Sequence, residues 1–255
     1  MIKKILLILL LLIKPAMANI SVFPYSVEFD ALSNKRVKSV RIINTSEHTQ
    51  TYRVSVVNFL QDKNGKLTEV KDDNGTFAQK YLNWSPRQFT LKPNEIQTIN
   101  VARRSMATAP DGEFVSHLKI AEVSLGKPKS AKNTNADGTL SMQIKALFAV
   151  TIPVTVTKGE NLIAKTEIGN VNYANNNLLQ VELKRLGNKS SRVNLAVMDA
   201  KGKEIGRLNN VKVYLSTPTL NIKVPLKTKE RIKNLVLRLE DAGTKEEILK
   251  QSINL

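Results

Sequence analysis

Side chains that could do acid, base or nucleophilic chemistry are few in this 255-residue sequence. It contains no cysteine and only two histidines, His48 and His117, so thiol catalysis is excluded and a histidine-rich metal site is disfavoured. His48 lies in a polar turn and His117 in a strand-like segment, where surface or packing roles are the rule. Adjacent carboxylates such as Asp72 and Asp73 are typical of solvated surface. The sequence therefore predicts a binding protein that is not an enzyme and needs no cofactor or metal.

Alternating hydrophobicity marks the segment 142–154. Its even-numbered residues are all apolar, whereas its odd-numbered residues are mixed. Seven consecutive matches to a period of two specify one apolar face on a β-strand. Since strands are typically about 5 to 6 residues long, part of this face is expected to extend beyond the core and meet a partner. An ordinary core strand is the alternative. The residues expected to present this face are Met142, Ile144, Ala146, Phe148, Val150 and Ile152.

The elements that position this strand are predicted to be all β. Short apolar runs are separated by turn signals such as Asn64-Gly65 and Asp111-Gly112, and amphipathic-helix periodicity is almost absent. This spacing favours two immunoglobulin-like β-sandwiches, at 19–158 and 159–255, with the boundary at a glycine flanked by charge. Predicted strands cover 20–29, 37–43, 52–59, 96–103, 114–123, 140–156, 162–168, 178–186, 193–198, 211–215, 220–224, 235–239 and 248–253.

The N-terminus has the pattern of an export signal. Lys3 and Lys4 precede an apolar run that ends near Ala16 and Ala18, and the run is too short to cross a bilayer. We expect residues 1–18 to be cleaved as a signal peptide, which leaves an exported chain without a membrane anchor. The formal charge of +17 fits anionic or acidic partners, but the basic residues are not clustered with aromatics as nucleic-acid binding would require.

Several segments together resemble PapD-like periplasmic chaperones, which assemble pili in the chaperone-usher pathway. Residues 20–30, 40–45, 85–93 and 97–104 are similar to the first domain of that family, and 111–118 continues the likeness. Residues 148–154 resemble the family's donor strand, and the polar segment 126–138 resembles the loop that precedes it. The likeness covers essentially the whole chain after residue 18.

The resemblance implies a periplasmic chaperone that completes the fold of a pilus or fimbrial subunit with its own strand and then delivers the subunit to an outer-membrane usher. It also implies a basic anchor for the subunit's C-terminal carboxylate. The two basic residues that the family uses fall near Ser26 and 148–151, where this sequence has none. Lys145, Arg103 and Arg104 are the substitutes that we consider.

Two other functions remain open from the sequence alone. The chain could be an extracellular pilus subunit or adhesin, but such a subunit would carry an N-terminal donor extension, whereas here the first strand begins almost at the cleavage site. It could also be a basic polyanion-binding protein, whose affinity would fall steeply with salt. A self-capped homodimer is a further expectation, because an exposed apolar edge strand promotes aggregation unless it is covered.

Overall fold

A computed structural model describes residues 19–73, 75–124, 146–228 and 230–255. Apart from a single 3-10 turn at Gln79–Tyr81, the elements in these ranges are β-strands, which confirms the predicted all-β class. No helix in the described ranges is long and apolar enough to span a membrane. The predicted signal peptide, the segment 126–138, Met142, Ile144 and Lys145 lie outside the described residues.

Two sheets face each other in the N-terminal half, and their strand pairs are antiparallel except for β2 with β10, which are parallel. One has the order β1-β3-β8-β6, and the other has the order β2-β10-β9-β4-β5, with β7 also paired to β4. The strands are β1 (Ile20–Phe23), β2 (Val27–Asp30), β3 (Val37–Asn44), β4 (Gln50–Gln61), β5 (Leu67–Val70), β6 (Leu82–Ser85), β7 (Gln88–Leu91), β8 (Ile96–Arg103), β9 (Gly112–Val123) and β10 (Ala149–Lys158).

A second pair of sheets forms the C-terminal half, with the orders β11-β12-β15 and β14-β13-β16-β17. Each half encloses its own apolar core, built from the inward residues of alternating strands. The strands are β11 (Thr166–Asn175), β12 (Leu178–Arg185), β13 (Ser191–Asp199), β14 (Glu204–Val213), β15 (Thr219–Pro225), β16 (Asn234–Asp241) and β17 (Glu247–Asn254).

The first strand segment divides between the two sheets. Residues 20–29 were expected to form one strand, but β1 pairs with β3 and β2 pairs with β10. The chain crosses from one sheet to the other at Pro24, which cannot donate a ladder hydrogen bond. This crossover is what places β2 beside β10.

Direct hydrogen bonds join the two halves. The Gln61 side chain donates to the carbonyl of Lys212 and accepts from the Tyr214 amide, at 3.0 and 3.2 Å. Thr217 Oγ1 donates to the carbonyl of Gln61 at 2.8 Å, and the Ser190 amide donates to Glu113 Oε2 at 2.9 Å. These bonds join β4 to the end of β14 and the residues after it, and β9 to the residue before β13.

Candidate functional site

One stretch of β10 has an open edge. On one side β10 pairs with β9 along its whole length, from Ala149 to Lys158. On the other side β2 covers only Val154 to Thr157. Within the described residues, the outer edge from Ala149 to Pro153 therefore faces no strand. An edge of this kind is a template for pairing with another chain.

The phase of the two ladders shows which backbone groups are open. The Glu122 amide donates to the carbonyl of Phe148 at 2.9 Å, and the Ala31 amide donates to the carbonyl of Thr157 at 2.7 Å. Backbone groups alternate in direction along a strand, so even-numbered residues of β10 face β9 and odd-numbered residues face outward. The outward groups of Ala149 and Thr151 thus lie beyond the reach of β2.

Exposed apolar side chains precede this edge. Leu147 and Phe148 are 51% and 50% exposed, and Ala146 is also exposed. Of the predicted strand 140–156, the described residues 146–148 lie outside β10, which begins at Ala149. The Phe148 amide bonds to the Glu122 side chain at 3.4 Å, so the regular ladder ends there.

The other two described members of the predicted apolar row lie on the core side. Ile152 is only 3% exposed and belongs to the core of the N-terminal half, and Val150 is partly buried against the same core. Both side chains face inward because even-numbered residues of β10 lie on the core face of its sheet. Ile152 is therefore not open to a partner, which corrects its expected role.

Glu122 holds the start of β10 in place. Its side chain is 6% exposed, and within the described part of the chain its Oε1 atom has no hydrogen-bond partner. Burial, together with the nearby Glu122 charge, raises the pKa of Tyr52 to about 12. A buried carboxylate thus fixes Phe148 at the boundary between the paired strand and the exposed apolar residues.

A cleft of about 990 Å³ lies between the two halves, next to the open edge. It is bordered by Pro153 and Thr155 of β10, by residues of β2, and by residues of β13 and β14. Five basic side chains line it, and among the described residues none of the five takes part in an ion pair. They are Lys35, Lys38, Lys189, Arg192 and Lys212.

Lys212 is the most enclosed of these cations. Its Nζ lies 3.5 Å from Thr155 Oγ1 and 4.9 Å from the centre of the Tyr214 ring. Burial lowers the pKa of Lys212, while Glu113 and Glu28 act in the opposite direction. The cleft is also lined by the acids Glu28, Asp30, Glu113 and Asp241, of which Glu113 accepts the Ser190 amide, so its lining has one more basic than acidic side chain. It can receive an anion.

The arginines considered as anchors point elsewhere. Arg103 is 5% exposed, and its guanidinium donates to the carbonyls of Arg104 and Ser33 at 3.0 and 3.1 Å. Arg104 donates to Asn83 Oδ1 at 2.5 Å. Arg103 ends β8 and Arg104 follows it, in the opposite sheet from β10, so the structure does not bring either of them to the open edge.

His117 belongs to the contact between the two halves. Its Nε2 lies 3.1 Å from the Tyr214 hydroxyl, and Phe59 packs edge-on at a ring distance of 4.9 Å. Burial, with a smaller effect of Lys212, lowers the pKa of His117 to about 4. This environment agrees with the packing role expected from the sequence. The cleft itself had no sequence signal, because its residues come from segments far apart in the sequence, among them β2, β10, β13 and β14.

Comparisons with known proteins identify the fold. No protein-family model and no curated protein sequence matches the chain. Among solved structures, the class 5 fimbriae chaperone CfaA is 16% identical, with a TM-score of 0.50 over 93% of this chain and 100% of that one. The YadV chaperone is 12% identical, with a TM-score of 0.50 over 93% and 100% of the two chains. The E. coli chaperone DraB is 11% identical, with a TM-score of 0.50 over 92% and 96%. The chain therefore has the two-sandwich fold of the PapD-like fimbrial chaperones.

Proposed function

We propose that this chain is a periplasmic chaperone that binds pilus or fimbrial subunits by strand donation and delivers them to an outer-membrane usher. The observation that carries the proposal is the open edge at Ala149 and Thr151, next to exposed Leu147 and Phe148. Strand addition needs both features, because backbone groups supply hydrogen bonds and side chains enter pockets of the partner. The predicted signal peptide supports the compartment.

Rough energies favour a partner that covers both the edge and the side chains. Burying the exposed half of Phe148 is worth about 1 kcal/mol, and Leu147 contributes a similar amount. Each new backbone hydrogen bond adds about 1 kcal/mol. Met142, Ile144 and Ala146 complete the proposed row, whereas Ile152 is removed from it.

We also propose that Lys212 provides the cation for the subunit's C-terminal carboxylate. The cleft adjoins the open edge through Pro153 and Thr155, so a strand laid along β10 can end beside this ammonium group. A carboxylate would replace the water lost by burial of Lys212 with a charge-assisted hydrogen bond. Arg103 and Arg104 are committed to other partners, and Lys145 stays an untested alternative.

The test begins with an affinity-tagged full chain purified from its native periplasm, with mass spectrometry of the proteins that accompany it. A small β-rich subunit supports the proposal, and nucleic acid or no protein contradicts it. The captured subunit then serves as the probe for two variants. Phe148→Asp should weaken its binding at least about tenfold, because a charge would enter a dry groove.

Ile96→Asp is the matched control, since Ile96 is 55% exposed on β8 in the other sheet. This variant should bind the subunit like the wild type. Equal loss in both variants would mean that general surface hydrophobicity, and not the β10 edge, holds the subunit. Lys212→Met should weaken binding of the full-length subunit. It should have little effect on binding of a subunit whose C-terminal carboxylate is amidated.

A further inference from the structure

Pro153 lies at the point where the pairing of β10 with β2 stops. β2 runs parallel to β10 from Val27 opposite Val154 to Asp30 opposite Thr157. Pro153 is the next outward-facing residue toward the open edge, and it borders the cleft together with Tyr25 and Ser26. Its location raises the question of why β2 does not continue along the edge.

The ladder phase identifies the missing hydrogen bond. Because the Ala31 amide bonds to the Thr157 carbonyl, the regular parallel pattern makes the Val27 amide the donor to the carbonyl of residue 153. The next bond in that pattern would run from the amide of residue 153 to the carbonyl of Tyr25. Proline has no amide hydrogen, so this bond cannot form.

The missing amide hydrogen of Pro24 does not explain why the pairing of β2 with β10 ends. In the continued ladder, odd-numbered residues of the first segment would face β10, and residue 24 would face away. Tyr25 is 76% exposed, and its amide would be the donor to Thr151. Phe23 pairs with Arg41 across β1 and β3, so pairing beyond Tyr25 would break the other sheet. The bond that Pro153 removes is therefore the one that decides whether Tyr25 joins the edge.

We propose that Pro153 is a positioning residue that stops β2 from closing over β10, and so reserves the outward groups of Ala149 and Thr151 for a partner strand. This inference rests on the proposed function for the identity of the partner. The stop itself is a property of the free chain. Without this stop, β2 could continue along the edge and cover Thr151. With it, the outward groups of both Ala149 and Thr151 stay open.

Hydrogen exchange of the full chain tests the stop without any partner. In Pro153→Ala, the new amide at residue 153 should exchange at least about tenfold more slowly than the Ala149 amide, because it bonds to Tyr25. The thermal midpoint should be at or above that of the wild type. Pro153→Val is a second variant with the same expectation. If the amide at 153 exchanges as fast as that of Ala149 in both variants, the proposal is overturned.

Thr151→Pro is the complementary variant. Thr151 is exposed and its amide faces outward, so proline there removes an open donor without breaking the ladder to β9. Both Pro153→Ala and Thr151→Pro should weaken binding of the captured subunit, but only the first should protect residue 153. Unchanged subunit binding in Pro153→Ala, despite protection, would overturn the reserved-edge role. Absence of any subunit binding by the wild type would instead count against the proposed function.

Discussion

Acid should destabilise the contact between the two halves through His117. The pKa of this side chain falls from 6.5 to about 4 in the folded chain. The unfolded chain therefore takes up a proton at higher pH than the folded chain does. The stabilising contribution is fully present above pH 6.5 and is lost as the pH falls toward 4.

The size of the effect follows from linkage. Between pH 7.5 and pH 5, a shift of this size removes about 2 kcal/mol from the free energy of unfolding, since each pKa unit is worth about 1.4 kcal/mol. Denaturant unfolding at the two pH values measures it. His117→Phe should lose the Tyr214 hydrogen bond, be less stable at pH 7.5, and show a loss toward pH 5 that is about 2 kcal/mol smaller.

His48→Asn is the matched control, because His48 lies in an exposed turn. This variant should keep the wild-type dependence on pH. If His117→Phe also keeps the full dependence, His117 is not the group that couples acid to stability, and the description of its buried environment is incorrect.

Four substitutions separate the core face of β10, the exposed residues before it and the contact between the two halves. Ile152→Asp places an unpaired charge in the core and should lower the free energy of unfolding by about 4 kcal/mol or more. Phe148→Asp should leave the thermal midpoint nearly unchanged. Equal thermal midpoints in the two variants would contradict the placement of Ile152 in the core and Phe148 outside it. Gln61→Ala leaves the Lys212 carbonyl and Tyr214 amide unsatisfied and should cost about 2 kcal/mol, measured by denaturant unfolding. Gln88→Ala, on an exposed strand position, should cost much less, and a similar cost for both would contradict the role of Gln61.

Local hydrophobic pattern was enough to predict most strands. The predicted strand 96–103 has the same limits as β8, and the alternation that marks it is also what buries Ile99 and Val101. Strand limits were predicted wrongly where a backbone amide bonds to a side chain and not to a neighbouring strand. Residues 162–165 were expected to begin a strand, but the Ile163 amide bonds to the Asn188 side chain, and β11 begins at Thr166. The domain limits 19–158 and 159–255 stay a prediction.

The candidate site was only half visible in the sequence. Period-two alternation identified β10, but it does not state which part of a strand lacks a neighbour. That depends on where β2 ends, which we propose is set by Pro153. The cleft cation was missed for a related reason, since Lys212 and Thr155 are brought together only by the packing of β14 against β10. Residues of distant strands carry no common periodicity.

Amide hydrogen exchange of the wild-type chain, alone and saturated with the captured subunit, tests strand donation most directly. Outward amides at Ala149 and Thr151 should exchange at least about tenfold more slowly in the complex. The amides of Val150 and Ile152 face β9 and already bond to it, so they should exchange slowly in both states. If the subunit binds while the Ala149 and Thr151 amides exchange at their free rates, the subunit does not pair with this edge and the central claim is refuted.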